Sequence, residues 1–147
     1  MKENSLEMEI LARVNDWLAA FSPGNKPFDF SVLDDLYWQD EQLLAFDTLS
    51  PQNTRIHGWQ AFESLWKPFM AALTQWQIRP VGDIYILTGD KFAVSALIFH
   101  GTGTTTERET VDITAHATLV WEKREEKWCI THEHISHPVK QVLDTEK

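Results

Sequence analysis

Four long segments in the second half of this chain alternate between apolar and polar residues. A period of two is typical of β-strands that bury one face. It predicts strands at residues 76–88, 91–103, 108–122 and 127–136. The segments between them are short and turn-like, so neighbouring strands should pair antiparallel. Pro80 and Gly82 predict a bulge or bend in the first strand. A long meander that follows helices is typical of a sheet that curls over helical cover and leaves a pocket.

The first half of the chain predicts helices and one short strand. Apolar residues recur at helical spacing over residues 6–21 and again over 59–73. A short second helix begins at Ser31, and residues 42–47 form a strand ahead of the third helix. Pro68 lies inside the third helix and predicts a kink or a break, because proline cannot donate the usual backbone hydrogen bond.

Composition and charge restrict the classes of function open to the chain. Its 147 residues, 43% hydrophobic and 24% charged, fit one soluble domain spanning 1–147 with a polar tail at 139–147. The net charge of −9 and the scattered basic residues argue against nucleic acid and anionic membranes as partners. Cys129 is the one cysteine, so no internal disulfide can form. No signal peptide and no run near the ~18 apolar residues of a membrane span are present, so we expect a cytoplasmic protein.

Three sequence blocks carry a resemblance to a known family. They are Asp16-Trp17-Leu18-Ala19-Ala20-Phe21 with Leu33-Asp34-Asp35-Leu36-Tyr37-Trp38, then Ile56-His57-Gly58-Trp59-Gln60-Ala61-Phe62, and Thr118-Leu119-Val120-Trp121-Glu122-Lys123 with the His-Glu-His-Ile-Ser end of the last strand. In these blocks the chain resembles the cone-shaped α+β fold of nuclear transport factor two, ketosteroid isomerase and SnoaL-like polyketide cyclases. The resemblance implies a curved antiparallel sheet wrapped around three N-terminal helices, and a pocket on the concave face. It also implies a homodimer or larger assembly and usually no cofactor.

Strand alternation indicates which side chains face that pocket. In the strand 108–122 the apolar set, which includes Val111, Ile113 and Trp121, forms the natural core face. The resemblance implies the same register and places Glu133 on the pocket side of the last strand. Seven tryptophans could fill a bulky core or line a pocket for a flat apolar ligand. We expect the pocket to be lined by Trp17, Tyr37, Trp38, Phe62, Trp66, Ser95, Leu97, Phe99, Ala117, Leu119, Thr131 and Ile135.

Two carboxyl groups are the candidate catalytic residues. Asp47 ends the first strand, near the position where the resemblance to the isomerase branch places a base. Desolvation in an apolar cavity would raise its pKa and make it a usable base. Glu133 would be a buried acid that needs a partner, either as a general acid or as an acceptor of hydrogen bonds from Tyr37 or Trp38. The tyrosine and protonated aspartate of the isomerase fall at about Trp17 and Ala117, so steroid isomerisation is not predicted.

The histidines of the last strand allow three interpretations. His132, His134 and Ser136, together with His116, would lie on the outer face and form a polar homodimer interface. Alternatively, His132 and His134 could hold Zn²⁺ with a histidine of a neighbouring strand. A register shifted by one residue would instead turn the imidazoles into the pocket as acid/base groups.

These observations support two main functional hypotheses. The first is a dimeric protein that binds a small, largely apolar organic ligand, with cofactor-free acid/base chemistry of isomerase, cyclase, dehydratase or hydrolase type by Asp47 or Glu133. The alternative is a non-catalytic module that dimerises and binds a ligand or a protein. A metal site on the strand face is a third possibility.

Overall fold

The computed structural model describes residues 2–49 and 54–138. Helix α1 spans Lys2–Ala20, a 3₁₀ helix spans Phe30–Asp35, and helix α2 spans Trp59–Ala71. The strands are β1 (Leu44–Asp47), β2 (Arg55–His57), β3 (Leu73–Thr88), β4 (Phe92–Thr105), β5 (Thr110–Arg124) and β6 (Lys127–Ser136). The predicted α+β class is therefore confirmed. The polar tail at 139–147 lies outside the described residues.

All six strands belong to one curved sheet with the order β2-β1-β6-β5-β4-β3. Strands β3 to β6 form the antiparallel meander that the short turns predict. Strand β1 departs from that pattern, because it pairs parallel with β6 and antiparallel with β2. The segment between β1 and β6 contains β2, helix α2 and strands β3 to β5, and is long enough to return the chain to β1 in a parallel direction.

Several element boundaries differ from the sequence predictions. Helix α2 continues through Pro68, so a break there is wrong. Pro68 lies in the last turn of an exposed helix end, where only one backbone hydrogen bond is lost and water can solvate the free carbonyl. Strand β3 begins at Leu73, and its ladder shifts between Val81 and Tyr85, which confirms the predicted bulge. The short strand β2 was not predicted.

The inner face of the sheet carries the core. Alternate residues of β4 and β5, from Ala93 to Phe99 and from Ala115 to Trp121, are buried. Helix α1 covers this face with Ile10, Val14 and Trp17, each at most 1% exposed. Burial of these side chains is the main favourable term of folding. None of the helices in the described part of the chain combines the length and apolar content that crossing a bilayer requires.

One β-bulge decides which residues of β6 face inward. Val120 pairs with His132, but the next residue of β5, Trp121, pairs with Ile130. Thr131 is therefore an extra residue, and the alternation changes parity there. Glu133 and Ile135 face inward as predicted, whereas Ile130 is buried and Thr131 only half-buried. The prediction that inward and outward side chains alternate strictly along residues 127–136 is therefore wrong, because the alternation changes at Thr131.

Candidate active site

A cavity lies within the core of the protein. The cavity has a volume of about 390 Å³ and lies between the two α-helices and the inner face of the sheet. It is lined by Trp17, Phe21, Thr48, Leu49, Phe62, Trp66, Phe69, Met70, Leu73, Trp76, Ile78, Phe99, Val111, Ile113, Glu133, Ile135 and His137. Its volume falls within the range of about 300–1,000 Å³ that is typical of small-molecule sites.

The cavity lies closer to one end of the sheet than the sequence suggests. Of the expected pocket residues, the cavity is lined by Trp17, Phe62, Trp66, Phe99, Glu133 and Ile135. Tyr37, Ser95, Leu97, Ala117 and Leu119 are buried beside it, outside its lining. Trp38 is half-buried, and its indole donates a hydrogen bond to the Glu122 carbonyl oxygen at 2.8 Å. Thr131 occupies the bulge of β6.

Sequence reasoning missed the wall formed by the start of β3 and the end of α2. Trp76, Ile78, Met70 and Phe69 belong to that wall. The signal for part of it is the glycine at position 101 of β4, which pairs with Ile78. A Cβ atom at Gly101 would lie 2.5 Å from the Trp76 ring, so only glycine lets this ring lie flat against the sheet.

The Glu133 carboxyl group is the polar group on the inner cavity wall. Glu133 is 1% exposed, and its Oε1 accepts a hydrogen bond from the Tyr37 hydroxyl at 2.6 Å. The Tyr37 hydroxyl oxygen in turn accepts one from Trp17 Nε1 at 3.0 Å. Helix α1, the segment after the 3₁₀ helix, and strand β6 thus meet in one buried hydrogen-bonded chain. These two hydrogen bonds fix the orientation of the Glu133 carboxyl group.

Asp47 lies on the same inner face, one strand away. Register pairs Ala45 with Glu133 and Asp47 with Ile135, so the two acids are diagonal neighbours on β1 and β6. Asp47 is 1% exposed, and its Oδ1 accepts the backbone N–H of Leu49 at 2.8 Å. Its Oδ2 has no hydrogen-bond partner among the described residues. Asp47 itself is outside the lining, but Thr48 and Leu49 beside it line the cavity.

Burial controls the protonation of both acids. Desolvation raises the pKa of Glu133 to about 8, against the hydrogen bond from Tyr37, and the nearby charge of Asp47 adds to the rise. Desolvation likewise raises the pKa of Asp47 to about 7, opposed by the Leu49 N–H. Burial and the Glu133 charge raise the pKa of Tyr37 well above its ordinary value. Near neutral pH, Glu133 is therefore mostly a neutral proton donor, and Asp47 titrates.

His116, His132 and His134 lie on the opposite face of the sheet from Glu133. His134 and His116 are exposed, and the rings of His132 and His134 contact Phe46 at 5.5 and 5.7 Å between centroids. His132 Nδ1 is 2.7 Å from the Leu44 carbonyl oxygen. The shifted register that would turn these imidazoles into the pocket is therefore wrong. Within residues 2–49 and 54–138, no three His, Cys, Asp or Glu side chains are arranged to hold a metal ion.

Comparison with known proteins identifies the type of domain. The family model of the SnoaL-like domain matches residues 10–140. A nuclear transport factor 2-like superfamily protein of Salmonella enterica shares 19% identity with a TM-score of 0.81, covering 95% of each chain. An NTF2-like protein of unknown function from Pseudomonas putida shares 19% identity with a TM-score of 0.77, covering 95% of this chain and 92% of its own. The association domain of Caenorhabditis elegans CaMKII shares 19% identity with a TM-score of 0.67, covering 92% and 98%. No curated protein sequence matches significantly.

The raised pKa of Glu133 predicts a measurable dependence of stability on pH. Between its ordinary value of 4.5 and about 8, the folded state keeps a proton that the unfolded state has lost, so the free energy of unfolding falls as pH rises. The slope is about 1.4 kcal/mol per pH unit for one such group. Glu133→Gln keeps an acceptor for Tyr37 but removes this titration. Urea unfolding between pH 5 and 8 should therefore show a flatter profile for the variant, which gains stability relative to the wild type as pH rises.

The matched control for this measurement is Glu107→Gln, which changes a carboxyl group in the exposed turn between β4 and β5. Its profile should run parallel to that of the wild type. A Glu133→Gln profile that also runs parallel would show that Glu133 titrates normally in the folded protein.

Proposed function

Because the chain belongs to the SnoaL-like domain family, we propose that its cavity binds a small, largely apolar organic molecule and that Glu133 and Asp47 exchange protons with it. The observation that carries this proposal is the Glu133 carboxyl group, held by Tyr37 at the wall of a mainly apolar cavity. A buried acid of this kind costs stability, and such groups are common in sites that transfer protons. The proposed reaction needs no cofactor and belongs to the isomerase, cyclase, dehydratase or hydrolase type.

The different surroundings of the two acids favour different roles in proton transfer. Glu133 holds its proton near neutral pH and can donate it to a ligand oxygen or nitrogen at the cavity wall. Asp47 loses its proton more readily, and its unpartnered Oδ2 can accept one from the ligand after a small movement of the Thr48–Leu49 segment. Two neighbouring carboxyl groups in different surroundings are a common basis for such a division. Trp17 and Ala117 lack the hydroxyl and carboxyl groups of the steroid isomerase, so a different substrate is proposed.

The second candidate is a binding module without catalysis. Two observations favour it: Asp47 lies outside the lining of the cavity, and the Tyr37 hydroxyl already donates a hydrogen bond to Glu133. The association domain of the worm CaMKII shows that domains of this fold serve assembly. Proton exchange with a bound ligand distinguishes the two candidates.

We propose that the outer face of the sheet forms a homodimer interface that includes His116, His132, His134 and Ser136. Large apolar side chains are exposed on this face beside the histidines: Phe46, Val81, Tyr85, Leu87 and Ile98. Phe46 lies across the sheet on β1, and the other four lie on the adjacent strands β3 and β4 and form an apolar surface of the kind found at protein–protein interfaces. A second copy of the chain covers it in the proposed dimer, because a two-fold axis brings the same surface from both subunits together.

Filling the cavity should abolish ligand binding. Val111→Trp places an indole ring into the cavity from β5, where Val111 is half-buried on the lining. A fluorescent naphthalene dye should quench or shift the tryptophan emission of the wild-type protein and bind the variant at least about tenfold more weakly. Val32→Trp, on the exposed 3₁₀ helix, is the control with the same change and should bind as the wild type does. Equal binding by both variants would place the dye outside the cavity.

Proton transfer should appear as hydrogen–deuterium exchange. A panel of small aryl ketones in D₂O reports exchange at the carbon next to the carbonyl group by NMR. The wild-type protein should accelerate this exchange, and Glu133→Gln and Asp47→Asn should each slow it by about 10²-fold or more, while Glu107→Gln should not. Ketones that bind without any acceleration would refute catalysis by proton transfer and leave the binding module.

Disrupting the outer face should dissociate the dimer. Ile98 is 37% exposed on β4 and pairs with His116. Ile98→Lys places a charge in the centre of the proposed interface, where burial without a partner is unfavourable. Light scattering should give a wild-type mass of about twice the 17.0 kDa of one chain and a monomer mass for the variant. Val32→Lys should leave the dimer intact, and a monomeric wild-type protein would contradict the proposed interface.

A further inference from the structure

We infer that the ligand of this cavity is a small aromatic or alicyclic amine, bound as an ammonium ion with its charged nitrogen against Glu133 and its hydrocarbon part among the aromatic rings. The inference rests on the binding part of the proposed function and adds the chemical class of the ligand. It does not depend on whether the bound molecule is then converted. Three features of the cavity support this inference: the aromatic rings of its walls, the ionisable side chains near it, and the hydrogen-bonded Glu133 carboxyl group.

Aromatic rings dominate the walls. Seven of the lining side chains are aromatic: Trp17, Phe21, Phe62, Trp66, Phe69, Trp76 and Phe99. Trp17 contacts Phe21 and Phe99 at 5.4 and 5.9 Å between ring centroids, and Trp66 contacts Phe69 at 4.7 Å. The faces of such rings carry partial negative charge and attract cations, tryptophan most strongly. A desolvated ammonium group gains more from these walls than a neutral group of the same size.

The acids at the cavity have no lysine or arginine partner among the described residues. Glu133 and His137 are the ionisable side chains of the lining, and neither lysine nor arginine occurs in the part of it that the structure describes. Asp47 adds a second acid beside Glu133, with an oxygen that no described residue satisfies. The forces that set the pKa of Glu133 include no basic side chain. Once Glu133 loses its proton, a cationic ligand supplies the counter-charge that no lysine or arginine of the described lining provides, and an anionic ligand is repelled.

The hydrogen bond from Tyr37 prepares Glu133 for this role. The Tyr37 hydroxyl donates to Oε1 of Glu133, and the Trp17 indole donates to the Tyr37 hydroxyl oxygen. Donors favour the ionised form of a carboxyl group once a cation offsets the cost of burial. In the binding step, the O–H bond of Glu133 breaks and its proton leaves to the solvent. The carboxylate then pairs with the incoming ammonium ion. One proton is released for each ligand that binds as a cation.

Three probes with one hydrocarbon skeleton test the inference. Naphthylethylamine, naphthylethanol and naphthylacetate differ in charge but bury nearly the same apolar area. In calorimetry at pH 7, the amine should bind the wild-type protein at least about tenfold more tightly than the alcohol, and the acetate should bind most weakly. In buffers of different ionisation enthalpy, the amine should release close to one proton per complex, and the alcohol should release none.

Glu133→Gln is the variant that isolates the charge. Its amide keeps the shape of the side chain and an acceptor for Tyr37, so it should reduce the preference for the amine over the alcohol to about threefold or less. The Glu107→Gln variant should keep the wild-type preference. Proton release by the wild-type protein tests the inference even if Glu133→Gln is poorly folded.

The outcomes separate this inference from the proposed function. An alcohol that binds as tightly as the amine, or amine binding without proton release, overturns the amine assignment and leaves an apolar ligand site. Failure of the amine and the alcohol to bind the wild-type protein at all overturns the small-molecule site and the amine assignment together.

Discussion

The hydrogen bond between Tyr37 and Glu133 is the interaction around which the interior of this protein is arranged. The backbone on either side of it is fixed as well, because Ile130 N–H donates to the Leu36 carbonyl at 2.7 Å and Trp38 N–H donates to the Ile130 carbonyl at 3.0 Å. The segment after the 3₁₀ helix is thereby attached to β6 just before its bulge. The extra residue in that bulge, Thr131, lets Ile130 and Glu133 both face inward.

A carboxyl group in this position lowers stability near neutral pH. Desolvation opposes its ionisation, and the folded protein must hold a proton that water would remove. An apolar side chain of similar size would fill the same space without this cost, since replacing buried ionisable groups by packed apolar ones is often neutral or stabilising. The same argument applies to Asp47, whose Oδ2 lacks a partner. Two neighbouring buried acids at a cavity each lower the free energy of unfolding. A role in binding or chemistry explains their presence better than a role in folding.

Much of the fold follows from residue patterns that can be read locally. The period of two in residues 91–103 and 108–122 predicts which side of β4 and β5 is buried, because these strands pair without any shift in register. Alternation fails at Thr131 because a bulge depends on contacts with the segment around Tyr37, which lie far away in sequence. The short strand β2 and the parallel pairing of β1 also depend on long-range contacts.

The candidate site is predictable only in part, for a related reason. Burial of Asp47 and Glu133 follows from strand position and register, and the neighbourhood of Tyr37 follows from the need of a buried acid for a donor. The position of the cavity along the strands depends instead on how large side chains fill the cone. Trp121 fills the inner face near Ser95, to which its indole donates a hydrogen bond at 3.0 Å, whereas the space beside Gly101 is left to Trp76 at the cavity wall. The volumes of the packed side chains, rather than the periodicity of the strands, determine where a cavity remains between the sheet and the helices.

Strand β6 connects the two surfaces to which function is assigned. Glu133 faces the cavity, while His132 and His134 on either side of it face outward and contact Phe46. Because side chains alternate, a shift of this strand by one residue would move the acid out of the cavity and the imidazoles into it. The parallel ladder with β1 and the antiparallel ladder with β5 prevent that shift from both sides. The same pairing that places an acid among aromatic rings therefore also places histidines on the outer face of the sheet.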